Sequence, residues 1–426
     1  GQPMTRAGFA VALSRFFGWQ SSETYYQIFS DVPQGAWYEP ALRACYEHGA
    51  VTRQTSDFRP GEPITREELA VMLIRALGYG PIAGLAESDT LPFRDVSTSK
   101  GHIVMAYELG LVSGTKNKLF VPDRYATREQ AAVILSRLYD KLHPAQTANE
   151  AMVLLRSGEE AEDLSGYQTI VLMEGNLAGG QKPRLTLNSS HTLEQIKETA
   201  KASGQTVLLG ISGQSGVLKS TTAAATAVAE ALTDSSYDGV YLSITPSAEN
   251  SDALAAFVQA LRAAVPEKKL YVAASAPSRG EMTPDYQALG KAADRIVLQV
   301  AGYVDTDSAV PVYAMEPLET VYYALSALND QIPGEKLALL LTAEGRGRKS
   351  TGKPTAFNGD AVAALEAQGH AYYSDRYACA YLETKDTVVW YLNEKALEAR
   401  QQLLRCFGVS SYCLTTPNGT LQAQES

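Results

Sequence analysis

The chain of 426 residues is long enough for two or three domains, and its 45% hydrophobic and 20% charged residues are typical of a globular protein. The net charge of −10 and the absence of any run of five lysines and arginines argue against nucleic-acid binding. No apolar run reaches the roughly 18–20 residues that a membrane helix needs, so no membrane span is expected.

Cysteine and histidine are sparse and show no metal-binding spacing. The four cysteines contain no CxxC pair and the five histidines show neither HExxH nor HxH, so we expect no metal and no cofactor. The scatter also argues against a disulfide framework, but leaves open one pair among Cys379, Cys406 and Cys413. The chain opens abruptly within what looks like a repeat, which predicts a processed or trimmed N-terminus.

The first third of the chain contains an internal repeat, with a Thr-Arg start and apolar residues at helical spacing, recurring about every 60 residues. The three copies are residues 4–19, 64–79 and 126–141. Thr65 with Glu68, and Thr127 with Gln130, have the spacing of capping boxes. Gly8 takes that place in the first copy and predicts a weaker cap. The pattern therefore predicts three equivalent helices.

A second element lies between these helices and occurs twice, at residues 29–51 and 93–112. Each copy begins with Phe-x-Asp-Val and continues as a helix that is expected to end at Gly49 or Gly110. A short loop with Phe-x-Pro then leads back into the next Thr-Arg helix. Order and spacing recur together, so the two elements form one repeating unit.

These motifs resemble the S-layer homology module, over roughly residues 1–142. The resemblance implies an all-α, pseudo-threefold helical prism whose grooves bind a secondary cell wall polymer of Gram-positive bacteria. It also implies groove-lining roles for the Thr-Arg arginines and the Phe-x-Asp-Val aspartates, and a tryptophan as a sugar-stacking face. The residues carried over in this way are Arg6, Asp31, Trp37, Arg66, Asp95 and Arg128.

Two departures from that pattern keep a plainer interpretation open. The first copy lacks its own Phe-x-Asp-Val helix, and no tryptophan follows Asp95. A Thr-Arg helix start can be only a cap with a solvated arginine, and an aspartate before valine can cap the following helix. A groove arginine nevertheless suits an acidic polymer, because guanidinium pairs bidentately with carboxylates.

The remainder of the chain alternates short apolar segments with helical ones, after a linker at 143–150 that carries a proline and lacks periodicity. Eight strands separated by helices predict an α/β (β/α)8 TIM barrel over residues 151–426. A doubly wound open sheet is the runner-up, but no GxGxxG follows the first strand, so a dinucleotide site is not supported. The predicted strands are 151–155, 169–173, 206–211, 239–244, 270–274, 295–300, 336–341 and 410–415.

The order of the strand signatures resembles glycoside hydrolase family 18, the chitinase-like barrels, and especially their spore- and peptidoglycan-associated branch. The matching segments include VLLGISG for the third strand, YVAASAP for the fifth, and a Pro-Leu helix followed by Pro-x-x-Lys before the seventh. The resemblance spans residues 150–418. It implies a site at the carboxyl ends of the strands.

The catalytic motif of that family, Asp-Gly-x-Asp-x-Asp-x-Glu on strand four, is incomplete in this chain. The family's last glutamate protonates the glycosidic oxygen while the substrate's own acetamide attacks the anomeric carbon. Asp238 keeps the first place and is expected to cap the backbone of its turn, but Tyr241, Ser243 and Thr245 stand at the other three. After strand six, Gln299 and Ala-Gly replace the expected methionine and Tyr-Asp pair. A threonine hydroxyl cannot act as a general acid near neutral pH, so the motif indicates a degenerate barrel.

Other side chains near the strand ends remain candidates for chemistry or binding. Carboxylates that could supply a relocated acid or base are Glu174 and Glu344, which follow their strands most closely, and Glu281, Asp305 and Asp307. Exposed loop carboxylates are more often only solvated, and Tyr303 and Tyr313 could either stack on sugar rings or pack. The ligand-binding candidates at the barrel mouth are Tyr241, Ser243, Thr245, Gln299 and Tyr303.

The leading functional hypothesis is an extracellular protein held at the bacterial surface by its repeats, displaying a barrel that binds glycan or a partner without hydrolysis. The expected partners are a secondary cell wall polymer and, for the barrel, peptidoglycan or a chitin-like glycan. Two alternatives stay open. One is an active glycosidase on N-acetylated wall glycans with relocated carboxylates, and the other is a purely structural component of an envelope layer.

Overall fold

The computed structural model describes residues 1–86, 91–144, 150–159, 163–233, 235–247, 251–278, 284–349 and 352–416. The chain divides into two compact units, Gly1–Ala145 and Gln146–Ser426, which we call the helical unit and the barrel unit. The middle of the expected linker, residues 145–149, lies outside the described ranges. Within those ranges, every helix is too short or too polar to cross a membrane.

The helical unit contains the three repeat helices that the sequence predicts. Its helices are α1 (Arg6–Phe16), α2 (Glu39–Glu47), α3 (Arg66–Ala76), α4 (Gly80–Leu85), α5 (Lys100–Glu108) and α6 (Arg128–Leu142). Thr65 and Thr127 each belong to a complete capping box, whereas Thr5 only accepts a hydrogen bond from the Gly8 N–H, as predicted. The sequence analysis missed α4, because its glycine and proline interrupt the helical pattern.

The helices between the repeat helices, α2 and α5, end close to the predicted glycines. Gly49 and Gly110 follow them with φ of 73° and 68°. This left-handed conformation ends helices commonly, and only glycine adopts it without a steric cost.

Three backbone hydrogen bonds form a closed ring in the helical unit. The N–H of Met4 donates to the Ala126 carbonyl (2.9 Å), that of Ala126 to Ile64 (2.9 Å), and that of Ile64 to Met4 (2.8 Å). Each of these residues lies two positions before the arginine of its repeat. The ring therefore relates the three copies by a pseudo-threefold axis, which confirms the helical prism expected from the sequence.

Eight parallel strands of the barrel unit close into a barrel. The strands are β1 (Glu150–Arg156), β2 (Thr169–Ala178), β3 (Arg184–Leu187), β4 (Thr206–Gly213), β5 (Gly239–Ile244), β6 (Lys269–Ser275), β7 (Arg295–Gln299), β8 (Tyr303–Asp305), β9 (Val312–Ala314), β10 (Leu337–Leu341), β11 (Gly345–Lys349), β12 (Thr355–Phe357), β13 (His370–Ser374), β14 (Cys379–Glu383), β15 (Thr387–Tyr391) and β16 (Ser411–Leu414). The order β1-β16-β10-β7-β6-β5-β4-β2 returns to β1 because β1 also pairs with β2. The predicted barrel is confirmed, and the open-sheet alternative is wrong.

Helices alternate with the parallel strands of the barrel unit, as the sequence predicts. They are α7 (His191–Ala202), α8 (Thr221–Thr233), α9 (Ala253–Ala264), α10 (Tyr286–Ala292), α11 (Leu318–Leu328), α12 (Gly359–Glu366) and α13 (Glu394–Cys406), with 3-10 helices at Ser215–Ser220 and Gly334–Lys336. Their apolar faces are buried, for example Leu254, Phe257, Val258 and Leu261 of α9.

One apolar cluster with residues from all eight parallel strands fills the barrel. Its buried members are Met152, Leu154, Val171, Leu208, Tyr241, Tyr271, Ala273, Val297, Ala338 and Cys413. Successive residues of a strand point to opposite faces, so every second residue beyond this layer also points into the barrel. The barrel interior is a packed core, as is usual for this fold.

The amino-terminal end of the barrel is held by a polar network around Glu150. Its carboxylate lies 2.6 Å from Arg295 and accepts hydrogen bonds from the Thr169 hydroxyl (2.5 Å) and the Tyr271 hydroxyl (3.0 Å). Arg295 also donates to the Ser411 hydroxyl at 2.5 Å. These contacts join β1, β2, β6, β7 and β16 at the end opposite the carboxyl ends of the strands.

A five-stranded antiparallel sheet, inserted between β10 and α13, was not predicted. Its strand order is β12-β11-β15-β14-β13. Its strands are short, and β13 is largely exposed along its length, so the alternation that identifies a half-buried strand is weak in the sequence. The sequence analysis also missed the β8–β9 hairpin and β3, which pairs antiparallel with β2.

All four cysteines are buried free thiols. The pairing left open among Cys379, Cys406 and Cys413 is therefore not made in this structure. Burial raises the pKa of the Cys413 thiol, so this side chain stays neutral and packs as an apolar group.

Candidate functional site

Two clusters of equivalent construction, which we call the first and the second groove, lie beside the arginines at the starts of α1 and α3. In the first groove, Arg6 Nε donates to the Phe58 carbonyl (2.7 Å), and in the second, Arg66 Nε donates to the Phe120 carbonyl (2.9 Å). The guanidinium carbons lie 4.7 and 4.6 Å from the ring centroids of the same two phenylalanines. Each arginine is thus fixed by a backbone acceptor and an aromatic face.

The two Phe-x-Asp-Val aspartates hold the loops on which these arginines rest. Asp31 accepts hydrogen bonds from the N–H groups of Phe58 and Arg59 at 2.8 and 2.7 Å, and Asp95 makes the equivalent pair of bonds at the same distances. The second residue of each pair, Arg59 or Val121, has a positive φ of 60° or 57°. Burial works to raise the pKa of Asp95, but the backbone donors outweigh it and the pKa is lowered. Asp95 therefore stays charged, and both aspartates stabilise strained loops in the groove walls.

The first groove contains an ion cluster beside a cleft. Glu68 lies 2.5 Å from Arg6 and 2.8 Å from Arg59. Burial works to raise the pKa of Glu68, but the Thr65 N–H and the two arginines outweigh it, so the pKa is lowered. A cleft of ≈ 280 Å³ is lined by these three charged side chains and by Arg75. The cleft is large enough for part of a sugar chain, and its lining carries both signs of charge.

The other two predicted groove residues are less enclosed. Arg128 is exposed at the start of α6, where its N–H donates to the Gln2 carbonyl at 3.0 Å. Trp37 is 70% exposed and lies edge-on to Tyr38, with ring centroids 5.4 Å apart. The structure therefore brings Arg6 near Asp31, and Arg66 near Asp95, through shared loops, while Arg128 and Trp37 lie outside these two clusters.

The mouth of the barrel lies at the carboxyl ends of its parallel strands. Register and alternation place one residue from each strand, or from its continuation, inward and just above the core layer. These residues are Arg156, Asn176, Ser212, Ser243, Ser275, Gln299, Thr342 and Thr415. The ring contains hydroxyls, amides and one arginine, and none of its eight members is a carboxylate.

The predicted residues of β5 occupy three depths in the barrel. Tyr241 is 1% exposed within the core, and among the described residues its hydroxyl has no hydrogen-bond partner. Burial raises the pKa of Tyr241, so its phenol stays neutral. Ser243 lies beside Ser212 in the mouth ring, and Thr245 is exposed beyond it. Tyr241 thus packs below the mouth, where a ligand bound at the mouth cannot contact it in this structure.

Asp238 has a structural role, although not the one expected from the sequence. Its Oδ2 accepts a hydrogen bond from the Val207 N–H (2.8 Å) and its Oδ1 one from Lys201 Nζ (3.0 Å). It precedes β5 and therefore lies at the end of the barrel opposite the mouth. It caps the neighbouring strand β4 rather than its own turn.

Glu174 faces away from the mouth. It lies in a bulge of β2, where the register with β4 shifts between Met173 and Gly175. The residue is 4% exposed, and its carboxylate accepts hydrogen bonds from the hydroxyls of Tyr237 (2.5 Å) and Ser189 (3.1 Å). Both partners come from segments outside the barrel strands, because the extra residue of the bulge turns the side chain outward.

Glu344 and Tyr303 lie near the inserted sheet. Glu344 is half-buried between β10 and β11. Tyr303 is 41% exposed and stacks on Tyr377, with centroids 5.3 Å apart and planes at 21°. Glu281 lies outside the described residues. Of these, Glu344 and Tyr303 keep the accessibility that chemistry or binding requires.

Sequence reasoning missed one carboxylate beside the mouth, Glu316. It is 6% exposed, has a positive φ of 38°, and accepts hydrogen bonds from the Thr342 hydroxyl (2.7 Å) and N–H (3.2 Å). Burial raises its pKa, and its backbone carbonyl accepts a bond from the fully buried Arg400 at 2.7 Å. A Glu-Pro pair before a helix looks like an exposed loop, so the sequence carries no signal of this burial.

The helical unit matches a known domain family. Residues 28–70 and 92–132 match the family profile of the S-layer homology domain. The helical unit contains S-layer homology domains. Curated relatives include an amylopullulanase of Thermoanaerobacterium thermosulfurigenes (33% identity over 144 residues, 32% of this chain and 8% of that protein) and an endoglucanase of Bacillus sp. strain KSM-635 (33% over 169 residues, 37% and 17%). A cell surface protein of Thermoanaerobacter kivui is 32% identical over 114 residues, 26% of this chain and 15% of that protein.

These alignments cover a small part of each relative, since the chain spans only 8% to 17% of their length. They therefore say little about the activity of the whole protein.

Solved structures with the same fold as the barrel unit include chitinases and related proteins. A chitinase from Chromobacterium violaceum is 15% identical, with a TM-score of 0.54, covering 65% of this chain and 96% of that chain. The spore cortex-lytic enzyme SleL of Bacillus megaterium is 14% identical, with a TM-score of 0.54, covering 65% and 72%. A chitinase-like agglutinin from Robinia pseudoacacia is 16% identical, with a TM-score of 0.52, covering 62% and 94%. At these identities the likeness shows the fold, a chitinase-like barrel.

Proposed function

We propose that this chain is a surface protein anchored to the cell wall, and that its S-layer homology domains bind an acidic secondary polymer of the wall. The observation that carries the proposal is the repeated construction of the two grooves, in which arginine Nε meets a phenylalanine carbonyl at 2.7 and 2.9 Å. Guanidinium groups held in this way are suited to carboxylates and phosphates. The cell surface protein of Thermoanaerobacter kivui, a relative by alignment, supports a location at the surface.

Co-sedimentation of the full chain with purified Gram-positive cell walls tests the anchor. We expect the wild-type chain to pellet with the walls, and the Arg6→Ala and Arg66→Ala variants to pellet less. Arg184→Ala is the matched control, because Arg184 is exposed on β3 of the barrel unit and its loss changes the net charge equally. A wild-type chain that stays in the supernatant would remove the proposal.

For the barrel, we infer binding of a glycan or another partner without hydrolysis. The eight residues of the mouth ring include no carboxylate, and Thr245 stands where the resemblance places the general acid. A positioned proton donor typically contributes 10²–10⁴-fold to such a reaction, so its loss removes most of the catalysis. The Robinia protein, which shares the fold and is named an agglutinin, supports a binding role for a barrel of this kind.

Hydrolysis with a relocated acid remains the second candidate, and the observation that favours it is the half-buried Glu344 directly after β10. Turnover of chitooligosaccharides or peptidoglycan by the purified chain, lost in Glu344→Gln, would establish this candidate. Binding of these glycans without turnover supports the non-hydrolytic barrel. If the chain neither binds nor cleaves these glycans, the purely architectural role in an envelope layer remains.

A further inference from the structure

Strand β13 forms an open edge of the inserted sheet. It lies last in the order β12-β11-β15-β14-β13, and among the described residues it pairs with β14 alone. In an antiparallel pair, every second residue of a strand directs its N–H and C=O to the neighbour on that side. The backbone groups that β13 directs away from β14 form no hydrogen bond within the described ranges. The edge can therefore accept one further strand.

The strand lacks the features that protect other sheet edges of this chain. Its residues, His370–Ser374, include no proline, lysine, arginine or acidic side chain. In contrast, β12 has three residues and follows Pro354, and β3 follows Pro183 and begins with Arg184. Proline and charge at an edge oppose pairing with another chain. The largely exposed β13 is thus the least protected of these three edges.

A row of stacked aromatic rings crosses the sheet and ends at this edge. Trp390, Tyr381 and Tyr372 lie directly opposite one another on β15, β14 and β13. The ring centroid of Tyr381 lies 4.7 Å from that of Trp390 and 5.2 Å from that of Tyr372, with interplanar angles of 18° and 23°. The His370 ring, 6.3 Å from Tyr372 on the same strand, is tilted by 51° and does not continue the stack. Tyr372 is 45% exposed, so the row can be extended by an aromatic side chain beyond the edge.

The sequence of β13 is complementary to itself in an antiparallel pair. Tyr372 is the middle one of its five residues, so a two-fold axis at this position places Tyr372 opposite its counterpart in a second copy. His370 then faces Ser374, and Ala371 faces Tyr373. Residues directly opposite each other have Cβ atoms roughly 4.5–5.5 Å apart, which suits the ring spacing already present in the row. One register thus continues both the hydrogen-bond ladder and the aromatic row.

The charged groups beside the strand are compatible with this register. Lys395 Nζ lies 3.7 Å from the ring centroid of Tyr373 and 3.8 Å from Asp375, so this cation is paired within its own copy. Asp375, which follows the strand, would face Gly369 of the second copy. Glu383 lies opposite His370 on β14, one strand farther from the axis. None of these three charged side chains would lie directly opposite a like charge.

We propose that β13 pairs with β13 of a second copy of this chain, antiparallel about Tyr372, and so joins the two five-stranded sheets across a two-fold axis. Such an isologous contact closes after two copies and gives a dimer. The paired strands are short, so we expect a weak dimer with a Kd of roughly 10–100 µM. The pairing concerns the barrel unit and stands whether or not the helical unit anchors the chain. On a cell wall, two joined chains would attach through two helical units, which strengthens attachment without a new wall contact.

Sedimentation equilibrium of the full chain, between about 1 and 300 µM, measures the association. We expect the mass to rise with concentration from 45.9 kDa toward twice that value. Tyr372→Lys places two cations opposite each other at the axis, and Ala371→Pro puts a proline in the edge, so each should weaken association by about 10-fold or more. Tyr139→Lys is the matched control, because Tyr139 is 55% exposed on α6, and it should associate like the wild type. Thermal unfolding shows whether each variant is folded.

Cysteine substitutions test the register independently. The two thiols of Tyr372→Cys would lie directly opposite each other, within reach of a disulfide, whereas those of Ser374→Cys would lie four residues apart along the strands, roughly 13 Å. The four native cysteines are buried free thiols. On mild oxidation at concentrations where the wild type is dimeric, we expect a covalent dimer from Tyr372→Cys and none from Ser374→Cys.

The possible results decide the proposal in either direction. A wild-type chain that stays monomeric at every concentration overturns pairing with a second copy, whatever other strand the edge accepts. A dimer that a folded Tyr372→Lys or Ala371→Pro variant leaves unchanged overturns the assignment to β13. Cross-linking through Ser374→Cys instead of Tyr372→Cys overturns the register about Tyr372.

Discussion

The buried His102 makes the stability of the helical unit depend on pH. It lies on α5, is 9% exposed, and neither ring nitrogen has a hydrogen-bond partner among the described residues. Burial, and then the charge of Arg75, lower its pKa from 6.5 to about 4. Arg75 also lines the cleft of the first groove, so the histidine packs near a candidate site. Replacement by leucine, His102→Leu, removes the titration and an unsatisfied buried polar group.

The sign and size of the effect follow from the two pKa values. The unfolded chain binds a proton at His102 near pH 6.5 and the folded chain only near pH 4, so the folded state loses stability as the pH falls through this window. At about 1.4 kcal/mol per pKa unit, the full loss is roughly 3 kcal/mol below pH 4, most of it incurred by pH 4.5. Above pH 6.5 the contribution is negligible.

Calorimetric unfolding of the full chain between pH 7 and pH 4.5 measures this loss. We expect the advantage of His102→Leu over the wild type, in free energy of unfolding of the helical unit, to grow by roughly 2 kcal/mol across that range. The exposed His143, on the same unit, provides the control His143→Gln, for which no such divergence is expected. A constant difference between His102→Leu and the wild type would refute the burial argument.

Three substitutions in the barrel unit give further tests by urea unfolding. Arg400→Met removes a fully buried guanidinium that donates to the Glu316 carbonyl, and should lower the free energy of unfolding by about 3 kcal/mol; a loss below 1 kcal/mol would contradict its structural role. Tyr241→Phe removes a buried hydroxyl that has no partner among the described residues, and should raise the free energy of unfolding by about 1 kcal/mol. Tyr271→Phe loses the bond to Glu150 and should lower the free energy of unfolding by a similar amount. The reverse order for the two tyrosines would show that Tyr241 has a partner.

The repeats were predictable because their signals are local. A threonine cap, a glutamate or glutamine three residues later and an apolar face define each helix within one short segment, as Thr65 and Glu68 show. The barrel strands were predictable for a similar reason, since parallel strands buried on both faces are continuous apolar runs. The closed ring through Met4, Ile64 and Ala126 then follows from the repetition itself.

The inserted sheet could not be predicted in the same way. Strand β12 has three residues and β13 is mostly exposed, so neither shows a clear alternation of apolar and polar residues. Its stability comes from contacts across strands, such as the stacking of Tyr381 on Trp390 at 4.7 Å and the pairing of Arg346 with Trp390, which lie 44 positions apart in the sequence. Such pairing produces no recognisable residue pattern within a single segment of the sequence.

The direction and burial of individual carboxylate side chains could not be predicted from the sequence either. Glu174 looks like a residue at a strand end, but a bulge turns it outward to Tyr237. Glu316 looks like a loop residue, but Arg400 and Thr342 hold it in the interior. In contrast, the loss of the acid position at Thr245 was visible from residue type alone, because no hydroxyl can replace that proton donor near neutral pH.

Release of soluble reducing sugar from purified cell walls, measured while the full chain is bound to them, distinguishes a binding barrel from a hydrolase. We expect the chain to pellet with the walls and the reducing ends to stay at the level of the blank. Release above the blank that disappears in Glu344→Gln would contradict this expectation, because the barrel would then be a hydrolase with a relocated acid.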